Sequence, residues 1–147
     1  MQRHLPTEKG QSVVEAALVL PVLLVLLLGI AEVGFFVLAQ VQVTNATREG
    51  ARYGSLCRLN HNCTTLADAV KLTVLTEAQL LDMTDAETGG NTQVEVQPPS
   101  LSSIPSVGDP ITVTVIYNHS TPFVSNLVPM FPAQLPIQHT VVMRFDK

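Results

Sequence analysis

Tryptophan is absent from this 147-residue chain, and tyrosine and phenylalanine number only two and five. Clustered positive charge is absent too. From Arg48 onward six Lys/Arg stand against nine Asp/Glu, within an overall net charge of −4. A nucleic-acid surface needs a basic stripe to meet phosphate, and commonly aromatic platforms on which bases stack. With neither present, nucleic acid is excluded as a partner.

Catalytic fingerprints are missing as well. There is no Gly-x-Ser-x-Gly, phosphate-binding loop or dinucleotide glycine pattern. His61, His119 and His139 are scattered, and none has metal-ligand spacing with another. His119 and His139 could meet only across neighbouring strands. The expectation is a chain that is not an enzyme and carries no cofactor and no metal.

Cysteine is limited to Cys57 and Cys63, in "LCRLNHNCTT". Only His61 lies nearby and no second cysteine pair exists, which disfavours zinc. A small disulfide loop in an oxidising compartment and two free thiols in a reducing one both remain open. The disulfide is expected if this part of the chain lies outside the cytoplasm.

What the chain does contain is apolar and unevenly placed. From Ala16 to Ala31 no residue is charged, and only Pro21 and Gly29 interrupt the aliphatics. Val13, Val14 and the stretch from Val33 to Ala39 extend the run. A bilayer core of about 30 Å needs roughly 20 helical residues, so the segment is long enough to span. Arg3, His4 and Lys9 precede it, and the positive-inside tendency keeps the N-terminus cytoplasmic, although Arg48 and Arg52 follow the run. A secretory signal peptide cut after Ala31 is the alternative. Against it, Glu15 sits within the run, and Val33, Phe36, Val37, Gln40, Val41 and Thr44 continue at helical spacing. One helix is expected from about Ser12 to about Leu56, roughly 65 Å long and about twice a bilayer, with a bend at Pro21. Its second half must then enter water or pack on the rest of the chain.

The motifs along this segment are specific. Gly10, Gln11 and Glu15 open it, Pro21 comes early, and Glu32 and Gly34 mark its end. Asn45, Ala46, Arg48, Glu49, Gly50, Ala51, Arg52 and Tyr53 follow in "NATREGARY". In these residues the chain resembles the TadE/TadG-like family, which includes pseudopilins of the tight-adherence (Flp) type IV pilus. The resemblance covers roughly the first third of the chain and implies a membrane-anchored structural or assembly component. It implies cleavage between Gly10 and Gln11 by a prepilin peptidase, which makes Glu15 the fifth residue of the product. The expected partners are the membrane, pilin-like subunits, the pilus assembly platform and that peptidase, with a homo-oligomer as a further prospect. The expected location is the bacterial inner membrane, N-terminus in the cytoplasm and C-terminal domain outside it, with incorporation in a pilus as an extension. A filament-forming pilin and a secreted binding domain released after Ala31 are the alternatives.

The two carboxylates in apolar surroundings carry the assembly expectation. A carboxylate at the membrane edge is costly unless it is hydrated or finds a positive partner. Glu15 would set axial register by pairing with a neighbouring subunit's terminal amine, much as one polar residue sets register in a coiled coil. The simpler reading is that it snorkels to the head groups. Glu32 lies 17 residues further on, about 25 Å at helical rise, at the outer edge of the hydrocarbon. It is either a hydrated interfacial group or a pairing site for another subunit or the platform. The 45–53 motif reads as a docking and packing signature, with Glu49 and Arg52 at ion-pair spacing.

Beyond Leu56 the chain reads as a small α+β domain. Thr65 and Asp68 fit a capping box, and Leu66, Val70, Val74 and Leu81 suggest a helix from Leu66 to Met83. "ETGGN" (87–91) is a turn. Strands are expected at 92–97, around Ile111, Val113 and Val115, and from Ile137 to Phe145. The Pro-rich stretch 121–136, with Phe123, Val124, Leu127, Val128, Met130 and Phe131, either contacts the membrane surface or a partner or folds back as a lid on the sheet; the lid is slightly favoured, because monomers seldom leave large apolar patches open. The organisation expected is a cytoplasmic leader (1–10), a transmembrane helix with its extension (11–56), and an extracytoplasmic domain (57–147). The fold class is α+β: a long N-terminal helix, one further helix and a three-stranded antiparallel sheet, pilin-like in outline.

Overall fold

The computed structural model describes residues 8–56, 66–78, 81–98, 106–127 and 130–145. Helix α1 runs unbroken from Glu8 to Ser55, 48 residues with Pro21 inside it. Helix α2 spans Leu66–Glu77 and helix α3 Pro122–Leu127. The strands are β1 (Thr92–Gln97), β2 (Pro110–Ser120) and β3 (Gln134–Arg144). They form one antiparallel sheet in the order β1-β2-β3. The α+β arrangement expected from the sequence is present.

The sheet follows from alternation. Along β2, Ile111, Val113, Val115 and Tyr117 are buried while the residues between them are not. An antiparallel sheet covered on one face produces this pattern. On the open face Thr114 and Thr140 sit opposite each other, with their hydroxyls 3.0 Å apart.

The second half of α1 covers the buried face. Ala39, Val43, Ala46 and Ala51 join Leu66, Val70 and Val74 of α2 and the inward residues of β2 in one core. Small residues bring the helices close. A Cβ at Gly50 would lie 2.5 Å from Cγ2 of Val74, so a hydrogen is all that fits there.

Two expectations need adjustment. Helix α2 ends at Glu77, not Met83. In its last turn the Thr76 hydroxyl donates to the Leu72 and Thr73 carbonyls, and beyond it the chain must run beside β1. There Asn91 fastens it, donating to the Asp82 carbonyl and accepting from the Thr84 amide, and Leu81 and Met83 pack from an irregular segment. The described residues of the stretch 121–136 do not close as a lid. It holds α3, which begins at Pro122, a residue suited to a first helical position. Thr121 fastens α3 to the chain before β3 through its hydroxyl to the Pro132 carbonyl (2.8 Å) and its amide to Ala133 (3.0 Å). Phe123, Leu127, Met130 and Phe131 stay exposed. His119 and His139 do not meet, because the register pairs His119 with Leu135 and His139 with Val115.

Candidate functional site at the end of the apolar half of helix α1

Helix α1 changes character at Glu32. From Gly10 to Ala31 every residue is exposed except the half-buried Gly29, although most are Val, Leu, Ile or Ala. The helix is long and apolar enough to cross a membrane, and its most apolar part is not buried against the described residues. Gly10, Gln11 and Glu15 lie on its exposed early turns. Exposing so many aliphatics to water is unfavourable at about 25 cal/mol per Å², so this half needs an apolar environment that the described residues do not supply.

Glu32 is the first buried residue along the helix, only 6 % exposed. Neither of its carboxylate oxygens has a hydrogen-bond partner. It lines a cavity of about 320 Å³ with Phe35 and Leu38 of α1, Leu81 and Asp82, Tyr117, His119 and Ser120 of β2, and Pro122 and Phe123 of α3. The His119 ring lies edge-on to Phe36 at 5.9 Å and tilted to Tyr117 at 6.2 Å. Its Nδ1 is buried and equally unpartnered. Burial, then the negative charge of Asp82, pushes the Tyr117 hydroxyl pKa up.

The 45–53 motif divides between two faces of α1. Ala46, Thr47, Gly50 and Ala51 are buried, and the Thr47 hydroxyl donates to the Val43 carbonyl at 2.6 Å. Asn45, Arg48, Arg52 and Tyr53 point outward. Arg52 Nη1 lies 3.1 Å from Glu49 Oε1 in a solvent-exposed pair, worth a few tenths of a kcal/mol. The inward face seats α1 on α2 and the sheet, and the outward face remains free to meet another molecule.

A second charged group holds α2 to the turn before β1. Lys71 Nζ lies 3.0 Å from both Asp85 Oδ2 and Glu87 Oε1. The hydrogen bond with Asp85, then that with Glu87, holds the Lys71 ammonium pKa above its ordinary value. The same Lys71 contact, then the Glu87 amide, holds the Asp85 carboxyl below its own. This cluster joins elements and also lines a groove beside β1 with Val94 and Glu95.

Cys57, Cys63, His61 and Thr65 lie outside the described residues, and with them the disulfide and capping-box expectations. Among the described residues no three His, Cys, Asp or Glu side chains are arranged to hold a metal ion. Glu32 was legible in the sequence as an oddity, but its cavity partners were not. The signal for Tyr117 and His119 was the alternation of β2, which continues past Val115 and puts both on the core face.

Residues 10–52 match the model of the TadE family, described as TadE-like protein. The resemblance read from "KGQSVVEAALVLP" and "NATREGARY" is therefore shown over that segment. No curated protein and no solved structure matches the chain. The family match and the candidate span together fit a Tad pilus-associated component anchored in a membrane.

Proposed function

We propose, taking the TadE-like match over residues 10–52 as premise, that this protein is a membrane-anchored pseudopilin: a structural or assembly component of a tight-adherence pilus or a related secretion machine. The observation that carries the reading is a coincidence of boundaries. The matched segment takes in the exposed apolar half of α1 together with the small-residue face that seats the helix on the domain.

In this reading the apolar half of α1 lies in the bacterial inner membrane. The leader is cytoplasmic, and the domain built from α2, α3 and the sheet is on the opposite side. Prepilin peptidase cuts between Gly10 and Gln11. Glu15, exposed on the free helix, then pairs with a positive group on a neighbouring pilin-like subunit, since a lone carboxylate among lipid chains is costly. Arg48, Arg52 and Tyr53 form an outward surface for subunits or the assembly platform. Helix α1 runs without a break across Ala31 into the core, which favours an anchor over a cleaved secretory signal.

N-terminal sequencing of the membrane-extracted protein tests this. With the peptidase present, the expected first residue is Gln11. A soluble product beginning at Glu32 would overturn the anchored reading, and an intact Met1 would remove the processing step from it.

A further inference from the structure

The Glu32 cavity has the chemistry of a cation site. Glu32 is 6 % exposed and both of its oxygens lack a donor, while Nδ1 of His119 on the same wall lacks a partner too. Asp82 adds a second carboxylate, and among the described residues no Lys or Arg lines the cavity. A buried carboxylate without a donor carries a desolvation cost that a charged N–H group removes. Phe35, Tyr117 and Phe123 complete the walls, and aromatic faces attract a cation further.

We propose that this cavity binds a primary ammonium group, presented by the head group of an ethanolamine phospholipid. The proposal rests on the membrane-anchored reading above. Depth favours a lipid as the source. Glu32 is buried directly after the stretch 10–31, which at helical rise is about as long as a bilayer core is thick, so the cavity sits near where hydrocarbon gives way to head groups. Exposed Val33, Phe35 and Val37 beside it, and exposed Phe123 and Leu127 of α3, offer an apolar path for the glycerol and acyl portions. The phosphate stays outside, away from the two carboxylates. The ammonium must be primary, because Glu32 needs N–H donors and a quaternary choline group has none.

The test uses the full chain in nanodiscs of equimolar phosphatidylethanolamine and phosphatidylglycerol, with native mass spectrometry of the released protein reading the retained lipid. The expected result is retention of one ethanolamine lipid with about tenfold preference over phosphatidylglycerol, falling to parity in Glu32→Gln, as loss of one charge-assisted contact implies. Phosphatidylcholine in place of the ethanolamine lipid is expected to be retained no better than phosphatidylglycerol. Retention indifferent to head group, or unchanged in Glu32→Gln, overturns the proposal. So does a carbodiimide cross-link from Glu32 to a lysine of another polypeptide. Should Glu32→Gln lose its native circular dichroism, Asp82→Asn at the exposed rim serves instead and is expected to weaken the preference several-fold. A chain that stays in the membrane fraction without preferring ethanolamine lipid refutes this site alone. A chain found in the soluble fraction refutes the anchor with it.

Discussion

At position 50 the helix has room for a hydrogen atom and nothing more. A Cβ there would press on Cγ2 of Val74 at 2.5 Å, with Val70 Cγ1 at 3.4 Å behind it. Valine in a helix is held to one χ1 rotamer, so Val74 cannot simply turn aside. Glycine costs about 1 kcal/mol of helix propensity against alanine, and close packing with α2 offsets that. Gly50→Leu is therefore expected to destabilise the domain by about 1–3 kcal/mol through overpacking. A lower urea midpoint at unchanged slope would be the sign, whereas an unchanged midpoint would mean that α2 does not pack where it is drawn. The glycine was legible in "TREGARY" as part of a small-residue surface. Which element approaches it was not, because a contact between residues 50 and 74 is a property of the tertiary arrangement. Glu32 follows the same logic: its oddity is local, whereas its burial depends on Tyr117 and His119 arriving from β2.

At the scale of elements, the strands were the most legible because alternation over a half-covered sheet is local and regular. The strand β1 coincides with "TQVEVQ", β2 extends the expected segment at both ends, and β3 begins earlier, at Gln134, and ends at Arg144. Helix ends and the α3 segment were less legible. The apolar spacing that continues from Val74 to Leu81 belongs to a core contact made after the helix has stopped. The link between α2 and the turn before β1 leads to a pH prediction. Asp85 has a depressed carboxyl, so its contribution is full above the ordinary value of 3.8 and is lost as pH falls through the lower folded-state value. Lys71 has a raised ammonium, so its contribution is full below 10.5 and is lost as pH rises through the higher folded-state value. Between those limits the pair contributes about 1 kcal/mol, given its partial burial. Lys71→Met should lower stability by that amount at pH 7 and by much less near pH 2. Equal losses at both pH values, measured by urea unfolding, would assign the effect to packing of the lysine stem instead of charge.

For the whole molecule, the decisive division falls within α1 and not at its end. The half up to Ala31 touches little of the chain, while Ala39, Val43, Ala46 and Ala51 belong to the core with Leu66, Val70, Ile111 and Val113. The boundary expected at 56/57 is the end of the long helix, whose second half is expected to enter water or pack on the rest of the chain. Packing makes the second half of α1 part of the domain. Two truncations separate these views. A chain beginning at Glu32 keeps every buried α1 residue of the described helix, sheds the exposed aliphatics up to Ala31, and should be soluble, folded and cooperative in thermal unfolding. A chain beginning at Cys57 uncovers the inner face of the sheet and one side of α2. Burying a single Val or Leu is worth about 1.5–3 kcal/mol, and a domain holds only about 5–15 kcal/mol in reserve, so losing the whole covering face should leave it unfolded. Circular dichroism and a melting curve on each would decide. A cooperative transition in the 57–147 chain would mean that α2 and the sheet form a core without α1. The long helix would then be an attached rod, and Glu32, freed from its cavity, would have no reason to be buried at the boundary between lipid and domain.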